Sequence, residues 1–266
     1  MNKTLFMASL KANWKLLTGT FLILLMYQSV ILGMYDPENV EAMRSMVEAL
    51  PESLSAAFGY DVLAIDLTSH IGAYLYGFIF LVFPLVYMVP AANNLIAKHV
   101  DRGSIVYMLA TPNTRKTLVT TQAAFMAGST LLLFFSVILT GIVMSESMFP
   151  GKLIYRDYML LNLVTVSVHL VLGGIAFLAS CIFSESRHSI AVGLGFPLAF
   201  LLFKMLSDAG DKLEALKYAS LFSLIDVYRI FDNTSYALIS AGLLILTAFI
   251  LFAAAVHVFD RRSLNV

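Results

Sequence analysis

The chain has 266 residues, of which 59% are hydrophobic and 13% charged, and its mean hydropathy is +0.84. Soluble domains are typically about 45–50% apolar and about 25% charged, which excludes an ordinary soluble globule, a disordered tail and a disulfide-built secreted domain. Seventeen basic residues balance seventeen acidic ones, so no net basic field draws nucleic acid, and the single cysteine, Cys181, has no partner for an internal disulfide.

Crossing about 30 Å of hydrocarbon at 1.5 Å per residue takes about 20 mostly apolar residues. Uncharged stretches of that length lie between Lys15 and Asp36, Asp66 and Lys98, Lys116 and Glu146, Asp157 and Glu185, and Asp232 and Asp260. A shorter one runs from Arg187 to Lys204, whose long stem can snorkel its charge to the interface. The pattern predicts an all-α polytopic membrane protein. One transmembrane domain over 1–266 holds six spans, at about 16–35, 70–96, 117–145, 158–183, 188–206 and 235–258.

Ahead of the first span, Leu5, Phe6, Leu10, Trp14 and Leu17 recur at helical spacing among Lys3, Lys11 and Lys15. This predicts a short amphipathic helix on the membrane surface over 2–15; the alternative is a simple extension of span 1. The apolar run after Lys15 is too long for the core of a signal peptide, and no small-residue cleavage site follows it, so the first span is read as uncleaved. Segment 36–70 carries seven acidic residues against Arg44 alone, with Val40, Met43, Val47 and Leu50 spaced as one helix face before Pro51.

Between spans 2 and 3 stands IAKHVDRGSIVYMLATPNTRK, residues 96–116. Gly103 breaks the helix of span 2, and Ile105, Met108 and Leu109 form one apolar face of a short helix beyond it. Thr111-Pro112 ends that helix and caps span 3. The long segment from about 205 to 234 mixes apolar and charged residues and reads as helical, dipping back into the interface. Pro84, Pro90 and Pro197 predict kinks in spans 2 and 5, and Gly173-Gly174 and Gly193-x-Gly195 predict close helix packing.

Six spans place both termini on one side. That side carries ten basic residues against three acidic ones; the other carries seven against fourteen. By the positive-inside rule the basic side is cytoplasmic, in the plasma membrane.

Catalytic signatures are missing. The sequence has no phosphate-binding G-x-x-x-x-G-K-[ST], no H-E-x-x-H zinc pair and no G-x-S-x-G elbow, and its five histidines lack ligand spacing. No Asp, Glu, Lys or Arg stands mid-span, which argues against an ion-coupled pump. His169 lies near the middle of span 4, a position that fits either a translocation path or a hydrogen bond between packed helices.

The stretch Asp101-Arg102-Gly103-Ser104, then Met108-Leu109-Ala110-Thr111-Pro112, then Arg115, resembles the region between spans 2 and 3 of ABC-2 type permease subunits of ATP-binding-cassette exporters. Phe259-Asp260-Arg261-Arg262 is similar to that family's exit from span 6. His99 stands where many members carry a glutamate four residues before the glycine, so details of ATPase docking do not transfer. The resemblance implies a non-enzymatic subunit that forms the translocation path with a second permease copy or paralogue and docks a separate ABC ATPase. ATP and Mg would reside on that partner, with no cofactor in this chain. Residues 99–111 would be the cytoplasmic coupling helix, with Asp101, Arg102, Gly103, Ser104, Ile105, Met108 and Leu109 in the docking site. The substrate class consistent with apolar, uncharged spans is an amphipathic or hydrophobic peptide, lipid or antibiotic. A secondary carrier or channel, a membrane enzyme and a non-transporting assembly protein are the competing classes. The first requires a mid-membrane ionisable site, and the second a catalytic group for which His169 is the sole candidate.

Overall fold

A computed structural model describes residues 2–36, 66–110, 114–209 and 211–262. Among them the long elements are α1 (Lys3–Met34), α2 (Leu67–Leu95), α5 (Arg115–Met148), α6 (Tyr155–Ile182), α7 (Ser186–Asp208) and α9 (Thr234–Arg261). All six are long and apolar enough to cross a membrane, making this a multi-pass membrane protein. Two short helices, α3 (Ala97–Asp101) and α4 (Ile105–Leu109), follow α2, and α8 (Val227–Asp232) precedes α9. The expected acidic segment falls largely on 37–65, outside the described residues.

Side-chain caps set several helix starts by satisfying backbone N–H groups that have no partner within the helix. The Asn2 side chain accepts from Leu5 N at 3.1 Å, Asp66 Oδ1 from Thr68 N and Ser69 N at 2.8 and 2.9 Å, and Asn233 from Tyr236 N at 3.0 Å. The cap of α5 is Thr114, which accepts from Thr117 N, and not Thr111 as the Thr-Pro pair had implied. Residues 111–113 themselves lie outside the described residues.

The amphipathic stretch near the N-terminus is not a separate element. It forms the first turns of the unbroken α1, in which Leu5, Phe6, Leu10 and Leu17 pack, half-buried, on the core while Trp14 is 50% exposed. Phe6 meets Phe125 of α5 edge-on at 5.4 Å. Polar bonds reinforce the pairing, with Asn2 N donating to Thr121 Oγ1 and Ser9 Oγ to Gln122 Oε1 at 2.7 Å.

Helix α6 is the axis of the bundle. It is the most enclosed span and packs against α2, α5, α7 and α9, while α1 packs on α5 and α2. Gly174 permits the close approach of α6 and α9: a Cβ there would stand 3.0 Å from Leu251 Cβ. Near the opposite end, Gln28 and Thr140 link α1 to α5, and Tyr76 and Asn162 link α2 to α6. Thr140 Oγ1 donates to Gln28 Oε1, Gln28 Nε2 to the Val137 carbonyl, and Tyr76 Oη to Asn162 Oδ1 at 2.7 Å. In an apolar solvent such bonds select the packing partner where hydrophobicity cannot.

Helix α2 is irregular. Residues Gly72–Ile79 form a π-helical stretch, and Pro84 and Pro90 lie within the α-helical part that follows. Pro84 has no N–H to give the Phe80 carbonyl.

After α7 the chain doubles back. A 3₁₀ segment, Asp211–Ala219, packs along α7, and Ser220 Oγ donates to the Phe200 carbonyl at 2.6 Å. Phe200 lies eight residues before the end of α7, so the segment descends about 12 Å along it. The segment is helical as expected, but in 3₁₀ geometry: Asp211–Ala219 and Phe222–Leu224 precede α8.

Candidate functional site

Two places concentrate chemistry: the turn between α2 and α5, and a cavity beside the re-entrant segment.

Helix α2 stops at Ile96, whose φ of −134° and ψ of −65° leave the helical region. The break is held from α6. Ser180 Oγ accepts from Ala97 N at 2.9 Å and donates to the Ala92 carbonyl at 2.8 Å. One hydroxyl thus supplies the partners the broken helix lacks, and all three residues are fully buried. Beyond α3, Gly103 adopts φ +66°, a left-handed conformation that glycine enters without a Cβ penalty. The turn closes with His99 Nδ1 at 3.0 Å from Ser104 Oγ. Burial, helped by the nearby charges of Lys98 and Arg102, holds the His99 imidazole below its ordinary value, so it is neutral at pH 7. Asp101 Oδ2 accepts from Ser186 N at 3.3 Å, at the start of α7.

The anticipated single helix over 99–111 is thus two five-residue helices turned at Gly103. The outward apolar face is corrected as well. Ile105 is fully buried and Met108 is half-buried against the core, so these two residues of the expected face turn toward the chain itself. The side chain of Leu109 lies outside the described ones. Exposed instead are Tyr107 at 80% and Val106 at 47%, with Asp101 and Arg102 beside them in sequence. In a helix of 100° per residue, positions 106 and 107 face away from 105 and 108.

Other basic-end contacts converge nearby. Arg262, just past α9, donates through Nη1 to the Cys181 and Phe183 carbonyls at 2.9 and 3.2 Å and through Nη2 to Ser184 Oγ. Arg115 Nη1 in turn donates to the Arg262 carbonyl at 2.9 Å. The ends of α6 and α9 and the start of α5 are thereby joined, and a cation meets the negative end of the α6 dipole. Neither Ser180 nor Arg262 was singled out as a site residue by sequence reasoning: a buried serine carries no signal, and Arg262 read only as part of an exit motif.

His169 is fully buried in α6. Its Nδ1 bonds the Thr165 carbonyl one turn back at 2.8 Å, and its ring lies 4.7 Å from Phe134 and 6.3 Å from Phe222. Nε2 has no partner in hydrogen-bonding geometry, although the Phe80 and Leu81 carbonyls of α2 are close enough to act on the ring. The hydrogen bond thus lies within α6, and the ring contacts join α6 to α5 and to the Phe222–Leu224 turn.

The cavity, of 1320 Å³, lies between α6, α7, α9 and the re-entrant segment. Its deep wall is formed by Val171 and Ile175 of α6, Phe200 of α7 and Thr247 and Leu251 of α9. Its acidic-end rim carries Lys204, Asp208, Lys217, Asp226, Arg229 and Asp232, with Tyr218, Tyr228 and Tyr236 among them. His169 is not in its lining. Segment 205–234 had been read only as a dipping helix; the cavity arises from how it folds onto α7. Among the described residues, no three His, Cys, Asp or Glu side chains converge as a metal site.

No family model, curated protein or solved structure matches this chain.

Proposed function

We propose that this chain is the membrane-spanning subunit of an ATP-driven exporter of the ABC-2 type, paired with a second permease and docked to separate ATPase chains on the basic, cytoplasmic side of the plasma membrane. The observation that carries this reading is the bracket formed by α3 and α4. It is short, turned at Gly103 and fastened at one end to α6 through Ser180 and to the start of α7 through Asp101. A push on such a bracket reaches two spans directly. Its free face presents Tyr107 and Val106, the aromatic-plus-aliphatic chemistry that anchors protein interfaces when a partner desolvates it. The missing phosphate-binding loop fits a division of labour in which a partner hydrolyses ATP. Amphipathic or hydrophobic peptides, lipids or antibiotics are the substrate class in this reading.

The test is co-purification with candidate ATP-binding-cassette chains and measurement of their ATP hydrolysis. Tyr107→Glu is expected to release or uncouple the ATPase, because a central aromatic anchor is commonly worth about 2 kcal/mol or more. Arg102→Ala is expected to do less. An ATPase that binds and couples to Tyr107→Glu as to the parent chain sinks the docking assignment.

A further inference from the structure

We infer that the cavity beside the re-entrant segment holds one zwitterionic membrane phospholipid with a primary ammonium headgroup, of the phosphatidylethanolamine type, as a resident ligand. The inference stands on the membrane fold and is independent of the transport reading.

Dimensions favour a lipid. At 1320 Å³ the cavity exceeds the about 300–1,000 Å³ of sites for drug-sized ligands. Its lining runs along α9 from Tyr236 to Leu251, fifteen residues or about 22 Å of helix. Half of a bilayer's hydrocarbon core is about 15 Å deep, so the cavity accommodates the chains of one leaflet with height to spare for a headgroup. The polarity follows the same axis. Val171, Ile175, Phe200 and Leu251 line the deep part, and the charged residues stand at the acidic end.

The headgroup chemistry follows from the rim. Lys204 is paired with Asp208 and Lys217 with Glu214, and Asp226 caps α8 by accepting from Arg229 N, which leaves the Arg229 guanidinium and the Asp232 carboxylate of the rim outside any ion pair among the described residues. A purely anionic headgroup would meet the Asp232 carboxylate, and a purely cationic one the Arg229 guanidinium; a zwitterion is complementary to both. A quaternary ammonium favours open aromatic faces. Here Arg229 already lies over the Tyr236 ring at 4.4 Å and Lys217 near the Tyr218 ring at 5.3 Å. The Asp232 carboxylate remains as an acceptor, which suits an ammonium that donates hydrogen bonds. On the cavity wall, Ser223 Oγ is buried without a partner and is placed to donate to an ester or phosphate oxygen.

The experiment uses the purified full chain, stripped of lipid and exposed separately to dioleoyl phosphatidylethanolamine, phosphatidylcholine and phosphatidylglycerol. Retained lipid is counted by native mass spectrometry. One phosphatidylethanolamine per chain is expected to survive washing at about tenfold lower free lipid than either competitor requires, a difference of about 1.4 kcal/mol. Thr247→Trp fills the deep part from an exposed helix position and should weaken that retention about tenfold or more without lowering the melting temperature. Asp232→Asn with Arg229→Gln should erase the headgroup preference while leaving chain binding. Equal retention of the three lipids, preference for phosphatidylglycerol or phosphatidylcholine, no retained lipid, or parent-like retention by a folded Thr247→Trp variant overturns the assignment.

Discussion

Removing a single hydroxyl tests the attachment of the α3–α4 bracket to the bundle. Ser180→Ala deletes the acceptor of the Ala97 N–H and the donor to the Ala92 carbonyl, at 2.9 and 2.8 Å. Ser180, Ala92 and Ala97 are all fully buried, so water does not take over either bond. Hydrogen bonds between membrane helices average about 0.6 kcal/mol and reach about 1.7, which puts the two together at about 1–3 kcal/mol. The same range describes a buried polar group left unsatisfied. The loss is local, because Ser180 caps the break and not the body of either span. Hydrogen exchange is the assay: a local opening eased by 1–3 kcal/mol raises exchange at Ala97 by about fivefold to over a hundredfold. Amides in the middle of α6 should keep their parental rates. If Ala97 exchanges as in the parent chain, Ser180 does not hold the bracket, and the mechanical link from α4 to α6 loses its basis.

Other outcomes follow from the same contacts. Gly103→Ala forces a Cβ into a left-handed conformation and should cost about 1–2 kcal/mol, read as a lower melting temperature, with Gly103→Asn milder. Acidification should loosen the bracket through His99. Its folded value lies below the unfolded 6.5, so folding favours the neutral ring, and the stability this contributes is present above pH 6.5 and is lost as pH falls through the folded value. Exchange at 97–109 measured between pH 7.5 and 5 checks this, and His99→Gln should flatten the dependence. His169→Asn removes ring packing against Phe134 and Phe222 and should lower the melting temperature while leaving the proposed transport in place; lost transport at parental stability would place His169 on a path instead. Tyr107→Cys and Tyr218→Cys, 80% and 85% exposed in the parent, should react with an impermeant thiol reagent from opposite sides of the membrane, Tyr218→Cys from outside. Labelling of Tyr107→Cys in intact cells would reverse the orientation.

The six spans were legible in the sequence because their cause is local. A stretch of about 20 uncharged apolar residues has one stable solution in hydrocarbon, whatever surrounds it. The turn at Gly103 was legible for the same reason, since a left-handed conformation in that place is a property of one residue, but span 2 itself ends seven residues earlier, at Ile96, and not at the glycine. Periodicity also grouped Ile105 with Met108 on one face of α4 correctly. It did not say which way that face points, because an apolar stripe looks the same whether it meets a partner or its own core, and the packing turned it inward. That Leu5, Phe6 and Leu10 pack, half-buried, against neighbouring helices was undecided by periodicity for the same reason. The pairing of Ser180 with a helix break 83 residues earlier, the capping of α6 by Arg262 and the cavity under Asp211–Ala219 all join positions far apart in the chain. Such contacts depend on which helices become neighbours, and in a membrane that choice rests on close packing and a few buried polar bonds that leave no periodic trace in the sequence.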